Sequence, residues 1–448
     1  MNEEVKSLNT YALDVLGCKV NQYDARQIVC LLEGYGLRAA NGDPDCPARG
    51  LGADLVVVHT CGVTAMAVKK SRHALRTLVR KNPGATAFLT GCAAAEEVIG
   101  PLEGVDVRIA AGAGWIQMIA DKLQTFSLPN PDFHLPENAD ELVVDDFGGQ
   151  TRALLKIQDG CDAGCAYCIV PKLRKAPRDK SIEVAAAEAE ALVKRGYKEI
   201  VIVGVHVGLY GRDSDHSLSE VMAKILKTQG VGRIRMSSLH PVDLTDELLV
   251  VWASSSHMMP HLHLSLQSGS DGVLSRMGRG YMAEEYAAAV ARARVALDNP
   301  AITTDVIVGF PGETDAEFEE TLAFCKQIGF AQMHIFSFSS RPGTRAAEMP
   351  GPVDPQIVQA RHQRLADLAK EMALDFNRTF IGKTVEVLVE RCNKGLCSGG
   401  SAHSVTVKFS GTESLCGTVV PVRITSVSNG GLLGEASIRD EYGIFGPV

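Results

Sequence analysis

The chain has 448 residues, too many for one ordinary hydrophobic core, so two or three domains are expected. Hydrophobic residues make up 46% and charged residues 22%, the balance of a soluble globular protein, and no apolar run reaches the length of a membrane span. The net charge of −8 excludes a global attraction to nucleic acid and leaves only local basic patches for such contacts.

The polar, acidic start MNEEVKSLNT is no secretory or transit signal, so a cytoplasmic location is expected. Twelve cysteines in such a chain point to metal ligation or redox chemistry rather than disulfide staples. Up to about Gly112, TYALDVLG, DLVVVHT, ATAFLTG and VDVRIAAG read as strands. QYDARQIVCLLEGYG and TAMAVKKSRHALRTLVRKN carry helical periodicity. This alternation predicts a parallel α/β sheet domain over residues 1–125. Cys18 follows ALDVLG, Cys61 follows DLVVVHT and Cys92 follows TAFLTG. The carboxyl ends of parallel strands share one edge, where open α/β sheets bind ligands, so these three thiols are expected to converge. A glycine adjoins each (Gly17, Gly62, Gly91), which lets the backbone approach a bulky cofactor closely. Buried structural cysteine is the alternative, and it is the reading for Cys30 and Cys325 on apolar helix faces. Residues 126–148 are rich in Pro, Asn and Asp and read as a linker.

A second alternation fills residues 149–375. ALLKIQDG, EIVIVGV, RIRMSSL, HLHLSLQ, ITTDVIVGF and QMHIFSF are strand candidates, mostly followed by helical patterns. They predict an open, partial (βα)6 barrel rather than the eightfold one. GCDAGCAYC follows the first of them and presents Cys161, Cys165 and Cys168 in C-x3-C-x2-C spacing. Three thiolates there can hold three irons of a cubane cluster and leave the fourth open to a small chelating substrate. Structural zinc is the alternative, but zinc normally takes a fourth protein ligand and the loop has none. The next loop, PKLRKAPRDK, gathers Lys172, Arg174, Lys175, Arg178 and Lys180, with Lys69, Lys70 and Arg72 as an extension. A solvated face is the ordinary reading of such a run; directly after a catalytic loop in an acidic protein, contact with phosphate is expected. In residues 380–448, KTVEVLVER, SVTVKFSG and CGTVVPVRITSVS alternate with Gly and Ser turns and lack helical period, predicting a small all-β barrel. Arg391, Lys394 and Lys408 are its candidates for contact with an RNA backbone. Cys46, Cys392, Cys397 and Cys416 form no pattern beyond a candidate metal pair of Cys392 and Cys397.

The cysteine loop, with the aromatic Tyr167 before its last cysteine, resembles the signature of the radical S-adenosylmethionine (SAM) superfamily. The resemblance implies a 4Fe–4S cluster on Cys161, Cys165 and Cys168 whose open iron chelates SAM and whose electron cleaves it to a 5′-deoxyadenosyl radical. It further implies SAM contacts at neighbouring strand ends. Gly204, Val205 and His206 would meet the methionine amino group and Ser237 and Ser238 the ribose, with Gln267 nearby and Asp305 and Gly309 along the adenine. For any one of these a packing or turn role is the alternative, and for His206 a satisfied core histidine.

LGCKVNQYD, VHTCGV, LTGCA, VGVHVGLYG, RMSSLHP, HLSLQSGSDGVLSRMGRGY, TTDVIVGFPGET and FSFSSRPGTRAAEM resemble the methylthiotransferases, and the final β unit is similar to the RNA-binding TRAM domain. The resemblance covers nearly the whole chain. It implies a second, auxiliary 4Fe–4S cluster on Cys18, Cys61 and Cys92, carrying the sulfur that one SAM methylates while another supplies the radical. LGCKVNQYD most resembles the branch that converts threonylcarbamoyladenosine next to the tRNA anticodon to its 2-methylthio derivative. Branches acting on isopentenyladenosine or on a ribosomal-protein aspartate are alternatives, as is a non-catalytic RNA-binding scaffold with one structural metal. The implied partners are tRNA with an adenosine next to its anticodon, an electron donor such as flavodoxin or ferredoxin, and a sulfur donor, with no membrane. His59 stands where the family usually has Asn, and Lys175 where it tends to have Gly.

Overall fold

The structure, a computed structural model, describes residues 6–41, 51–94, 107–112, 114–138, 141–174, 176–439 and 445–447. Its first sheet is built from β1 (Thr10–Val15), β2 (Arg38–Ala39), β3 (Leu55–Thr60), β4 (Thr86–Gly91) and β5 (Val107–Ala110), in the order β2-β1-β3-β4-β5, all parallel. Helices cover both faces, so the strands are apolar on both sides and side chains alternate between two cores. Tyr11, Leu13, Leu55, Val57 and Phe88 pack against α1 (Lys19–Gly34) and α3 (Trp115–Leu123). Ala12, Val56, Val58, Ala87 and Leu89 pack against Ala74, Leu75 and Leu78 of α2 (Ala65–Lys81).

The central region holds six parallel strands: β6 (Arg152–Asp159), β8 (Glu199–Gly204), β9 (Arg233–Met236), β10 (His261–His263), β11 (Ala301–Val308) and β12 (Gln332–Ser337). A short β7 (Arg178–Asp179) flanks β6 antiparallel, and a bridge between Leu239 and Leu264 carries the array from β9 to β10. The array stays open between β6 and β12, as a partial barrel. Between and after these strands run α4 (Val170–Leu173), α5 (Ile182–Lys194), α6 (Leu218–Leu226), α7 (Asp246–Ala253), α8 (Asp271–Met277), α9 (Ala283–Ala296), α10 (Asp315–Ile328) and α11 (Pro355–Arg378). Their starts are set by local chemistry: Ser217 and Thr314 form capping boxes with Glu220 and Glu317, and Asp354 caps α11 just before Pro355.

The last unit comprises β13 (Thr384–Asn393), β14 (Leu396–Ser401), β15 (Thr406–Ser410), β16 (Val419–Ser428), β17 (Gly431–Arg439) and β18 (Phe445–Pro447). β15 pairs with both β14 and β17, which closes five strands into a barrel around Val387, Val389, Val407, Phe409, Val422 and Ile424. The β13–β14 turn uses Lys394 and Gly395, both at positive φ, as a tight two-residue hairpin demands. This hairpin corrects one expectation: Cys392 and Cys397 sit directly opposite each other and form a disulfide, not a metal pair. Their cross-strand register brings the sulfurs together, a proximity that spacing along the chain does not reveal. The barrel docks on β9, where Arg233 donates to the Gly400 carbonyl (3.1 Å) and Arg235 to those of Ser401 and Ala402 (3.1 and 3.0 Å). The Pro- and Asp-rich stretch before β6 is anchored rather than loose: Val144 and Phe147 are buried in the central core, Phe147 between Tyr23 and Tyr197. Cys30 and Cys325 pack in or against that same core, and burial pushes both thiols up to about 12.

Candidate functional site

Cys18, Cys61 and Cys92 stand one to three residues beyond β1, β3 and β4, which are adjacent in the sheet. The loops interlock. Leu16 N–H donates to the His59 carbonyl and Cys92 N–H to the Thr60 carbonyl, each at 3.0 Å. A Cβ on Gly17 (φ +120°) would lie 3.1 Å from Cys61 Sγ, so only glycine lets the first loop approach the second thiol this closely. Cys18 is the N-cap residue of α1, where free helix N–H groups favour negative charge. Burial pushes the thiols of Cys61 and Cys92 up, and each is raised further by neighbours of the trio, Cys61 by Cys92 and Cys18, Cys92 by Cys18.

The second trio follows β6. Cys161 is buried, and Cys165 and Cys168 are half-buried. Burial, reinforced by Cys165 and Cys161, pushes the Cys168 thiol up to about 11. Donors face these sulfurs: the Ala163 N–H lies 3.4 Å and His206 Nδ1 3.8 Å from Cys161 Sγ, and Arg279 Nη1 donates to Cys165 Sγ at 3.5 Å. Arg279 also donates to the Tyr167 hydroxyl (3.4 Å) and to His240 Nε2 (3.1 Å). Burial, then the charges of Arg279 and His206, lower His240 to about 2 and keep it a neutral acceptor. His206 Nε2 is held by Asp243 at 2.8 Å.

The donor sets fit iron–sulfur clusters better than zinc. All six cysteines are free thiols. Sulfurs on one tetrahedral zinc, each about 2.3 Å from the metal, would lie about 3.8 Å apart. Neither trio has its three sulfurs within 4.8 Å of one another; among the described residues the groups that do are His206–His240–Asp243 and His263–Asp305–His334. A cubane, which binds each thiolate to a different iron, needs the wider spacing.

The remaining expected residues divide. Gly204, the last residue of β8, and Val205 just past it are half-buried, and the His206 N–H donates to Gln158 Oε1 (2.8 Å). Ser237, just past β9, has a buried hydroxyl with no partner among the described residues, and Ser238 is exposed. Gln267, at φ +70°, bonds Asp305 and Ile307 through its backbone, and Asp305 pairs with His263 at 3.3 Å. Gly309 packs closely against α11: its missing Cβ would lie 2.4 Å from Val358.

The basic strip is corrected at two positions, Arg174 and Lys180. Lys172, Lys69 and Lys70 are exposed, and Lys175 lies outside the described residues. Lys180 is buried against Glu188 and Tyr23. Arg178 is half-buried, 3.6 Å from Asp159. Arg174, expected to meet RNA, turns inward with 12% of its side chain exposed. It pairs with Asp24 (2.5 Å) and Asp159 (2.8 Å) and donates through Nε to Cys92 Sγ (3.3 Å). Lys156 completes this cluster, 2.5 Å from Asp24 and 3.2 Å from Asp159. Chain order alone hides these partners, except that Cys18, Asn21 and Asp24 recur at helical spacing on one face of α1. Likewise His240 and Arg279 lie within RMSSLHP and MGRGY, where spacing assigns them no role.

Residues 155–325 match the model of the Radical SAM superfamily, and residues 10–103 match that of Uncharacterized protein family UPF0004. The partial barrel and its three-thiol loop thus define a radical SAM enzyme. The chain is 36% identical to the threonylcarbamoyladenosine tRNA methylthiotransferase MtaB of Chlamydia pneumoniae, over 96% of this chain and 99% of that one. It is 35% identical to MtaB of Bacillus subtilis (strain 168), over 93% of each. It is 32% identical to the tRNA-2-methylthio-N(6)-dimethylallyladenosine synthase of Syntrophotalea carbinolica, over 96% and 100%. Among solved structures it shares its fold with the radical SAM methyltransferase TsrM of Kitasatospora setae, with a TM-score of 0.57 at 13% identity, covering 88% of this chain and 80% of that one. The chain belongs to the radical SAM tRNA methylthiotransferase family. Its cofactors are accordingly SAM and two 4Fe–4S clusters. Among the described residues no helix is long and apolar enough to cross a membrane.

Proposed function

We propose that this enzyme converts threonylcarbamoyladenosine next to the tRNA anticodon to its 2-methylthio derivative. In this reading residues 1–125 form the auxiliary-cluster unit, 149–375 the radical SAM unit and 380–448 the RNA-binding barrel. Cys161, Cys165 and Cys168 hold the SAM-cleaving cluster, and Cys18, Cys61 and Cys92 the auxiliary one. The observation that carries the reading is that two open three-thiol sites meet across one loop: Leu173 packs beside Gly62, Arg174 bonds Cys92, and the Cys161 N–H donates to the Arg174 carbonyl at 2.9 Å.

The C–H at carbon 2 of adenine has no acidic proton and no leaving group, so acid–base chemistry cannot replace it. When bound, the cofactors supply one-electron cleavage of SAM at one site and a methylated sulfur at the other. The chain's own residues bind and orient. Arg279 holds Cys165 and Tyr167 together, Asp243 fixes the His206 ring beside Cys161, and the unpartnered Ser237 hydroxyl is available to a ligand hydroxyl. Lys172, Lys69 and Lys70 offer charge to phosphate near the site. Arg391, Lys394 and Lys408 line an open groove on the barrel, suited to the tRNA backbone. A flavodoxin- or ferredoxin-type electron donor, a sulfur donor and a cytoplasmic setting belong to the same reading.

The threonylcarbamoyl branch is supported by LGCKVNQYD and by the MtaB relatives. The test is mass spectrometry of nucleosides from purified tRNA, bearing or lacking the threonylcarbamoyl group, after reaction with the reconstituted enzyme. Product should depend on that group. Equal product without it, or product only on dimethylallyladenosine, would contradict the proposal.

A further inference from the structure

Arg174 touches both cysteine sites at once. Its carbonyl accepts the Cys161 N–H at 2.9 Å, which fixes the start of the central loop. Its guanidinium divides among several partners in the neighbouring domain and its own: Nε donates to Cys92 Sγ (3.3 Å), Nη1 to both oxygens of Asp159 (2.8 and 3.0 Å), and Nη2 to Asp24 (2.5 Å) and Asn21 Oδ1 (3.3 Å). Asn21 in turn donates to the carbonyls of Leu16 (2.7 Å) and Thr60 (3.0 Å), on the segments that lead into Cys18 and Cys61. One side chain therefore bonds one auxiliary thiol directly and braces the other two loops through a single asparagine.

The charges fit this role. Asp24 and Asp159 are buried and are met by the cations of Lys156 and Arg174, with the half-buried Arg178 3.6 Å from Asp159 and the buried His59 ring 3.5 Å from Asp24. An inter-domain ion pair of merely structural use would be complete with the carboxylates. Here the remaining donor, Nε, is aimed at a sulfur. Arginine alone can serve that sulfur and two carboxylates together, because its donors project in a rigid fork.

We propose that Arg174 is a positioning residue that couples the two cofactor sites. It sets the auxiliary cysteines against the central loop and raises the reduction potential of the auxiliary cluster by placing an N–H donor and a positive charge at Cys92. The inference rests on the assignment of that cluster to Cys18, Cys61 and Cys92. Potentials of thiolate-held clusters follow net charge and hydrogen bonds to sulfur, and both contributions favour the more negative, reduced state.

The test uses the full chain with Cys161, Cys165 and Cys168 replaced by Ala, so that only the auxiliary cluster loads. Iron is counted, and the cluster is then titrated by EPR-monitored potentiometry with Arg174 intact, as Arg174→Lys and as Arg174→Gln. At a fixed potential Arg174→Gln is expected to lower the reduced-to-oxidised ratio at least tenfold, about 59 mV for one electron. Arg174→Lys, which keeps the charge and loses the fork, recovers only part of that shift. Because Arg174→Gln leaves Asp24 short of a partner, Asp24→Asn/Arg174→Gln is measured beside it; it restores the net charge but not the N–H donor to Cys92, and should show a smaller fall in the same direction. Either glutamine variant loading iron and titrating at the parent's potential overturns the proposal. A parent that binds no iron overturns the auxiliary site itself, and this inference with it.

Discussion

Gly91 ends β4 at φ +90°, one residue before Cys92. A Cβ at this position would lie 2.4 Å from the Thr60 carbonyl oxygen and 2.7 Å from the Thr60 nitrogen, both backbone atoms of the neighbouring strand. The left-handed region costs an L-residue about 1–2 kcal/mol. Overpacking against backbone adds about 1–3 kcal/mol. Gly91→Ala is therefore expected to destabilise the N-terminal sheet by about 2–5 kcal/mol. The strain falls on the Cys92 N–H to Thr60 carbonyl bond, which holds the second and third cysteine loops together. Gly84→Ala is the control: φ is +83° but nothing lies within 4 Å of the added carbon, so only the first cost applies. Urea denaturation and anaerobic iron analysis of both variants form the assay. Gly91→Ala should lose its auxiliary cluster, falling from about eight irons to about four, while Gly84→Ala keeps about eight. If the two variants match in stability and both keep about eight irons, the interlocked-loop geometry is wrong.

Cys165→Ala should abolish reductive cleavage of SAM, whereas Cys61→Ala should retain cleavage and yield no methylthiolated nucleoside; full product from Cys61→Ala would refute its role. Replacing Arg391, Lys394 and Lys408 with Ala should weaken tRNA binding and flatten its salt dependence, by about 0.7–0.9 in the log–log slope for each phosphate that is no longer neutralised. An unchanged slope in a fluorescence-anisotropy salt series would remove the groove from the RNA path. Lys180→Met strands the buried Glu188 and should cost about 3–5 kcal/mol in chemical denaturation. The pair Lys180→Met/Glu188→Leu should recover most of that loss, and no recovery would mean that the Tyr23 hydrogen bonds dominate the site.

The strands and their cysteine-bearing ends were readable because both depend on local order. Parallel strands buried on both faces read as apolar runs, and each cysteine-bearing run stops close to a glycine where the chain must turn sharply. Partners distant in sequence were not readable. Asp24 meets Lys156 and Arg174 only after the first sheet docks on β6, so nothing in a run of basic residues signals that Arg174 and Lys180 point inward while Lys172 stays exposed. Gly309 has the look of a ligand-binding strand end, and only the position of α11 reveals that Val358 fills the space beside it. The disulfide between Cys392 and Cys397 depends on hairpin register, which the Lys394–Gly395 turn fixes. The inward roles of His240, Asp243 and Arg279 emerge only when the loops after β9 and α8 meet over Cys161 and Cys165.

Two separate thiol trios should each hold an iron–sulfur cluster across one shared loop. Iron and acid-labile sulfide counted after anaerobic reconstitution test it most directly, in the native chain and in a variant with Cys18, Cys61 and Cys92 all replaced by Ala. About eight irons and eight sulfides are expected in the first and about four of each in the second. Stoichiometric zinc without iron, or an iron count that the three substitutions leave unchanged, would contradict it.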